Sequence, residues 1–192
     1  LITGSGRRIG RAIALELARR GAVVAVHYNT SLEGAEETLR QIKNLGGVAK
    51  LFQANLLDND DRAGLIKAVQ ARLGPIQILV NNAAVFSLGT LNDTTSDMWD
   101  DQMNVNAKAP FFLSQICGCE MMKRGSGKIV NIADPAGEMI WARYFSYSVS
   151  KAALLAVTRG LARSLAPVVQ VNAVAPGPVH FPDKYTEEQK KR

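Results

Sequence analysis

Tyr147-Ser148-Val149-Ser150-Lys151 sets a phenol and an ammonium four residues apart, which on a helix puts them on one face. A cation held beside a phenol favours the phenolate and lowers its pKa, making tyrosine a usable proton donor near neutral pH. A second chemical segment stands near the start, Thr3-Gly4-Ser5-Gly6-Arg7-Arg8-Ile9-Gly10. Glycines there let the backbone turn tightly and approach a pyrophosphate, whose charge the N-terminus of a following helix favours. Arg7 and Arg8 add positive charge, and an arginine grips a phosphate through two parallel donors. The structural alternative is a plain strand-to-helix turn with two solvent-facing arginines.

The stretch His27-Tyr28-Asn29-Thr30-Ser31 bears on which dinucleotide such a loop would take. An NAD site places a carboxylate at the end of the second strand to bind the ribose hydroxyls. No acid occurs here before Glu33, so a 2′-phosphate would meet no repulsion, and NADPH is the expected cofactor.

These residues need a frame, and the hydrophobic pattern supplies one. Short apolar runs alternate with stretches of helical period, the signature of a parallel sheet wrapped by helices. The expected fold is α/β, a doubly wound, Rossmann-like parallel sheet in a single domain over residues 1–192. Strands are expected at 23–27, 48–53, 78–81, 128–131 and 169–174, most of them apolar on both faces as a covered sheet requires. Helices are expected at 10–20, 32–45, 60–73, 95–122 and 147–165, with Gly21, Gly46-Gly47 and Gly74-Pro75 at their ends.

At 192 residues and 47% hydrophobic content, the chain is long enough for one buried core and short for two. A net charge of +6 raises nucleic acid as a partner. The basic clusters Arg7-Arg8, Arg19-Arg20 and Lys190-Lys191-Arg192 are dispersed and lack interleaved aromatics, so none is expected. Cys117 and Cys119 are too close for an ordinary disulfide and not spaced as a zinc pair. They read as reduced packing residues, and no metal is expected. No apolar run reaches bilayer length and no signal-peptide pattern opens the chain, so a cytoplasmic protein with no membrane partner is expected. Leu1-Ile2-Thr3-Gly4 reads as the end of a strand whose start is absent, and 186–192 as an unfinished polar helix, so both ends read as cut.

Five signatures fall in one order: TGxxxxxG at Thr3 to Gly10, Asn81-Asn82-Ala83-Ala84, Asn106 in Val105-Asn106-Ala107, Tyr147 with Lys151, and Pro176-Gly177. With them the chain resembles the short-chain dehydrogenase/reductase family over essentially its whole length. The resemblance implies that Gly4, Arg7, Arg8, Ile9 and Gly10 hold the pyrophosphate, and that His27, Asn29, Thr30 and Ser31 face the phosphorylated ribose. It implies that Asn55 and Leu56 flank the adenine, where the family more often has aspartate at the first position. Asn82, Ala83, Ala84, Pro176 and Gly177 line the cofactor. Lys151 also binds the nicotinamide ribose, and Asn106 holds the water of a proton relay. It further implies a homotetramer built on the helices at 95–122 and 147–165.

One position departs from the family. Where it normally has a serine, thirteen residues before the tyrosine, this chain has Asp134 in Asn131-Ile132-Ala133-Asp134-Pro135. A serine donates to a substrate carbonyl, and an ionised aspartate cannot. A dead enzyme, a shifted alignment and a different substrate each fit. The chain is similar to the pteridine reductases at this point, which combine aspartate, tyrosine and lysine, and that favours the third. Arg8 before Ile9-Gly10 and Phe86 after the Asn-Asn-Ala turn agree, and by the same resemblance Phe86 stacks on a flat pterin ring. Core packing is the alternative for Phe86. Ala84 and Val85 replace small polar residues of that subfamily, and Thr30 replaces a basic one.

The expectation is therefore hydride transfer from NADPH to a C=N or C=O bond of a small, pterin-like substrate. Tyr147 donates the proton, Lys151 lowers its pKa, and Asp134 orients it or relays the proton. Arg8, Phe86, Asp134 and Tyr147 would contact substrate. A carbonyl reductase of the 3-oxoacyl-thioester or sugar type is the nearest alternative, and a non-catalytic NADPH sensor the alternative from another class. His180, Phe181 and Tyr185 are further pocket candidates.

Overall fold

A computed structural model describes residues 1–177, so His180, Phe181 and Tyr185 lie outside the described residues. Five strands form: β1 (Val24–Tyr28), β2 (Ala49–Gln53), β3 (Ile78–Asn81), β4 (Gly127–Ile132) and β5 (Val169–Val174). Pairing is parallel throughout, β1 with β2, β3 with β4 and β4 with β5. Ile2 joins the two groups, forming parallel bridges to Val26 on one side and Val80 on the other. The spatial order is therefore β2, β1, the opening segment, β3, β4, β5. The chain crosses from one half of the sheet to the other beside Ile2, which is the topological switch where doubly wound folds bind ligands.

Alternation along the strands divides the core in two. Val24 and Val26 pack on one face with Ile2 and Val80, against Ala14 and Ala18 of α1 (Arg8–Arg19) and Ala35 and Ile42 of α2 (Leu32–Asn44). Ala25 between them faces the other way. There it joins Leu65, Ile66 and Val69 of α3 (Asn59–Leu73), Leu113 and Met121 of α5 (Ala109–Arg124), and Leu161 and Leu165 of α6 (Phe145–Leu165). Each fully buried Leu or Ile contributes on the order of 1.5–3 kcal/mol.

The stretch 95–122 is not one regular helix. It divides into α4 (Ser96–Met103), a π-helical turn at Asn104–Lys108, and α5. Pro110 accounts for the interruption. It lacks the N–H that an α-helix would set against the Asn106 carbonyl, and its ring would crowd that oxygen. The extra residue of a π-turn relieves both problems, and the Ala109 N–H bonds five residues back to Asn104. Other boundaries shift by one or two residues, and α6 opens at Phe145. The two cysteines part company: Cys117 is buried, whereas Cys119 is exposed and so is not a packing residue. No helix among the described residues is long and apolar enough to cross a membrane.

Candidate active site

Apart from His27, which lies within β1, the expected site residues among those described follow the C-terminal end of a strand or lie on a helical segment packed beside one. The loop from Thr3 to α1 rests on β3 and β1 rather than standing free. Gly4 has φ +62, open to glycine without penalty, and a Cβ there would lie 2.9 Å from Ala83 Cα. At Gly10 a Cβ would run into the Gly4 carbonyl and come within 2.5 Å of Asn82 Nδ2. Asn82 clamps this contact by donating to the carbonyls of Thr3 (2.9 Å) and Gly4 (3.0 Å), and the N–H groups of Asn82 and Ala83 both reach Thr3 Oγ1. Helix α1 begins here with no side-chain cap, and Arg7 and Arg8 are exposed beside it, with Ile9 half-buried. Arg8 stands at φ +48, a region that costs a side-chain-bearing residue about 1–2 kcal/mol. The uncapped helix end, close-packed glycines and flanking cations fit a dinucleotide pyrophosphate.

His27 does not face the open edge of the site. Its ring is buried; Nδ1 accepts the Gly4 N–H at 2.9 Å, and Nε2 lies 3.1 Å from the Ala54 carbonyl. Those two bonds require the neutral ring protonated at Nε2. Burial accordingly pulls its pKa from 6.5 down to about 4. The histidine thus braces the glycine loop against the turn after β2. Asn29, Thr30 and Ser31, just past β1, are exposed. Past β2, the Leu56 side chain turns into the core, so only its backbone can face a ligand, while Asn55 is half-buried.

The second half of the site gathers around Tyr147, which is 6% exposed. Asp134, at the end of β4, is fixed through both carboxylate oxygens. Oδ1 accepts the Ala136 N–H at 2.8 Å and Oδ2 accepts the Tyr147 hydroxyl at 3.0 Å. Lys151 is buried, donates from Nζ to the Ile132 carbonyl at 2.8 Å, and lies 5.7 Å from the Tyr147 ring centroid. Burial pulls its pKa down to about 8, against the opposing pull of Asp134.

This geometry reverses one expectation. The Tyr147 pKa is raised, not lowered, first by burial, then by the Asp134 charge, then by the hydrogen bond to Asp134. Lys151 meets the ring and spends a proton on Ile132, whereas the carboxylate meets the hydroxyl itself. Burial and the Asp134 charge act in the same direction, and Tyr147 is held as the neutral phenol.

Phe86 is 56% exposed, which excludes core packing. It stands edge-to-face with Tyr147, centroids 4.6 Å apart, and stacks on Tyr144 at 4.5 Å with 14° between planes. A bridge between Gly89 and Tyr144 joins the two loops that carry these rings. Asn106, in the π-turn, uses its side chain to hold the backbone of Val85 in both directions, at 2.9 Å each, and to donate to Ser150 Oγ at 3.0 Å. Its amide braces the Ala84–Phe86 loop against α6. Ala84 is exposed on that loop, and Pro176-Gly177 follow β5, with Gly177 at φ +64.

Sequence reasoning missed Tyr144, whose signal was its place one helical turn before Tyr147. It also missed Arg11, which donates to Thr38 Oγ1 and to the carbonyls of Gly6 and Gly34, tying the glycine loop to α2.

A family model described as short chain dehydrogenase matches residues 1–192. Over 178 residues the chain is 40% identical to an uncharacterized oxidoreductase of Thermotoga maritima, covering 92% of this chain and 70% of that one. It is 38% identical to the 3-oxoacyl-[acyl-carrier-protein] reductase FabG of Staphylococcus aureus, covering 92% of this chain and 72% of the relative. The crystal structure of FolM alternative dihydrofolate reductase 1 from Brucella canis, complexed with NADP, superposes with a TM-score of 0.87 at 40% identity. That match covers 95% of this chain and 74% of the other.

Proposed function

Since the chain belongs to the short-chain dehydrogenase family, we propose that it reduces a C=N or C=O bond of a small planar substrate, a pterin in the leading reading, using NADPH. The observation that carries the proposal is the Tyr147 hydroxyl bonded to Asp134 beneath the exposed ring of Phe86. NADP in the Brucella canis relative supports the choice of cofactor, as does the acid-free stretch Asn29-Thr30-Ser31 beside two arginines. When bound, the nicotinamide supplies the hydride.

The residues of this chain supply the proton. Tyr147 is neutral and so carries a proton to give. Giving it beside an ionised Asp134 would leave two anions 3.0 Å apart, about 5.5 kcal/mol of repulsion at an effective dielectric of about 20. A proton taken from solvent onto Asp134 removes that barrier, because the carboxyl passes it to the tyrosine oxygen as the tyrosine gives its own to substrate, restoring phenol and carboxylate. Lys151 remains largely cationic at neutral pH and offsets the developing phenolate. Phe86 offers a π-face to a flat heterocycle. In this reading the enzyme is a cytoplasmic homotetramer associated through α4–α5 and α6, and the half-exposed Phe111 and Phe112 on α5 support that face.

A second reading, reduction of a simple carbonyl, is favoured by the 3-oxoacyl-thioester reductase among the relatives. The two separate on kcat/KM for dihydrobiopterin and for a simple ketone, in wild type and in Asp134→Ser. The pterin reading predicts at least a tenfold fall in the pterin-to-ketone ratio, about 1.4 kcal/mol of specificity. Parallel losses make Asp134 a general catalytic residue and favour the carbonyl reading. Tight NADPH binding without turnover on either substrate would mark a sensor.

A further inference from the structure

Helix α3 carries a cation where its pattern calls for an apolar side chain. Arg62 is in phase with Leu65, Ile66 and Val69 on the buried stripe and is 2% exposed. It forms no ion pair among the described residues. Burying a guanidinium without a carboxylate is unfavourable unless its donors are used, so what it touches is informative. Nη1 donates to the Leu56 carbonyl and Nη2 to Asn59 Oδ1, and the guanidinium lies 5.7 Å from the Phe112 ring centroid.

The turn that Arg62 reaches is fixed peptide by peptide. The Ala54 carbonyl meets His27 Nε2 at 3.1 Å, and the Asn55 N–H of the same peptide donates to Asp61 Oδ2 at 2.7 Å. The Asn55 carbonyl accepts the Asp58 N–H at 3.0 Å. The Leu57 N–H donates to Asn55 Oδ1 at 3.1 Å, and the carbonyl of that peptide is the one Arg62 takes. One N–H in the turn, that of Leu56, has no partner among the described residues. The Leu56 side chain is meanwhile locked in the core.

We propose that Arg62 is a positioning residue for the adenine half of the cofactor, anchoring the Leu56 carbonyl inward so that the Leu56 N–H stays available to a ring nitrogen. This rests on the proposed use of NADPH and on the adenine lying against Asn55 and Leu56, as the family resemblance implies. Arg62 never touches the ligand. It holds the turn from behind, as His27 does from the side of the glycine loop.

Arg62→Met keeps the length and fills the same space without the donors. The Leu56 carbonyl and Asn59 Oδ1 then lose their donor, so the thermal midpoint should fall modestly, and affinities are compared well below it. Adenosine 2′,5′-bisphosphate and NADPH, titrated by calorimetry, should each bind about tenfold more weakly, while reduced nicotinamide mononucleotide, followed by fluorescence, binds unchanged. Arg62→Lys should recover part of the loss, because an ammonium can still donate to one carbonyl. Equal losses for both halves of the cofactor, or no loss for either, would overturn the proposal. In wild type, the bisphosphate should slow amide exchange at Leu56. Without that protection the adenine placement fails, and the role of Arg62 with it. Protection in wild type together with undiminished affinity in Arg62→Met overturns the role of Arg62 alone.

Discussion

Replacing His27 by glutamine should remove an acid sensitivity of the cofactor cradle while keeping its bonds. A glutamine oxygen can accept the Gly4 N–H and its amide can donate to the Ala54 carbonyl, the two contacts the neutral ring makes. The imidazole differs in that it titrates. Its pKa is about 4 in the folded chain, against an ordinary 6.5. Between those values the unfolded chain holds the extra proton, so stability rises with pH there. This contribution is fully present above pH 6.5 and is lost as the pH falls towards 4. At about 1.4 kcal/mol per pKa unit, the loss amounts to about 3 kcal/mol. Urea unfolding of wild type and His27→Gln at intervals from pH 7 to pH 4 reads it directly. Carboxylates titrate in both proteins, so the difference isolates the histidine. Wild type should lose about 3 kcal/mol more than the variant across the window. Parallel stability profiles would refute the reasoning, because they would mean that the ring binds its proton equally well folded and unfolded.

Two further outcomes follow from the glycine loop. NADPH should bind at least tenfold more tightly than NADH, and Arg8→Ala should narrow that gap by about 1.5–3 kcal/mol for a lost charge-assisted contact; calorimetry with both nucleotides checks it. Gly10→Ala pushes a methyl group into the Gly4 carbonyl and the Asn82 amide, so stability should fall by about 1–3 kcal/mol and NADPH affinity at least tenfold, read by thermal unfolding and fluorescence titration.

The sheet was legible in the sequence because each strand is a short apolar run between helical stretches, and β3 and β5 fall at the expected residues. The π-turn was not, since one extra residue leaves the apolar stripe of a long helix nearly intact; Pro110 was the available signal. Spacing alone set Tyr147 beside Lys151, but the sign of the tyrosine's pKa shift depends first on its burial and then on the charge that meets its hydroxyl. That charge belongs to Asp134, brought from another element by the return from β4 to α6. His27 reads as a ligand contact in a linear sequence, yet it lies in a strand whose first four residues are all buried, which turns its ring into a brace. Arg62 is legible in the same way, an arginine in phase with the buried Leu65, Ile66 and Val69 of α3.

The central claim is that Tyr147 is the proton donor of an NADPH-dependent reduction, and Tyr147→Phe tests it most directly. The ring and its contact with Phe86 remain, while the hydroxyl that meets Asp134 is removed. Turnover with the best substrate found among dihydrobiopterin, dihydrofolate and simple ketones should fall about a hundredfold or more, with NADPH affinity nearly unchanged. A variant that keeps most of its turnover would contradict the account, because another group would then be supplying the proton.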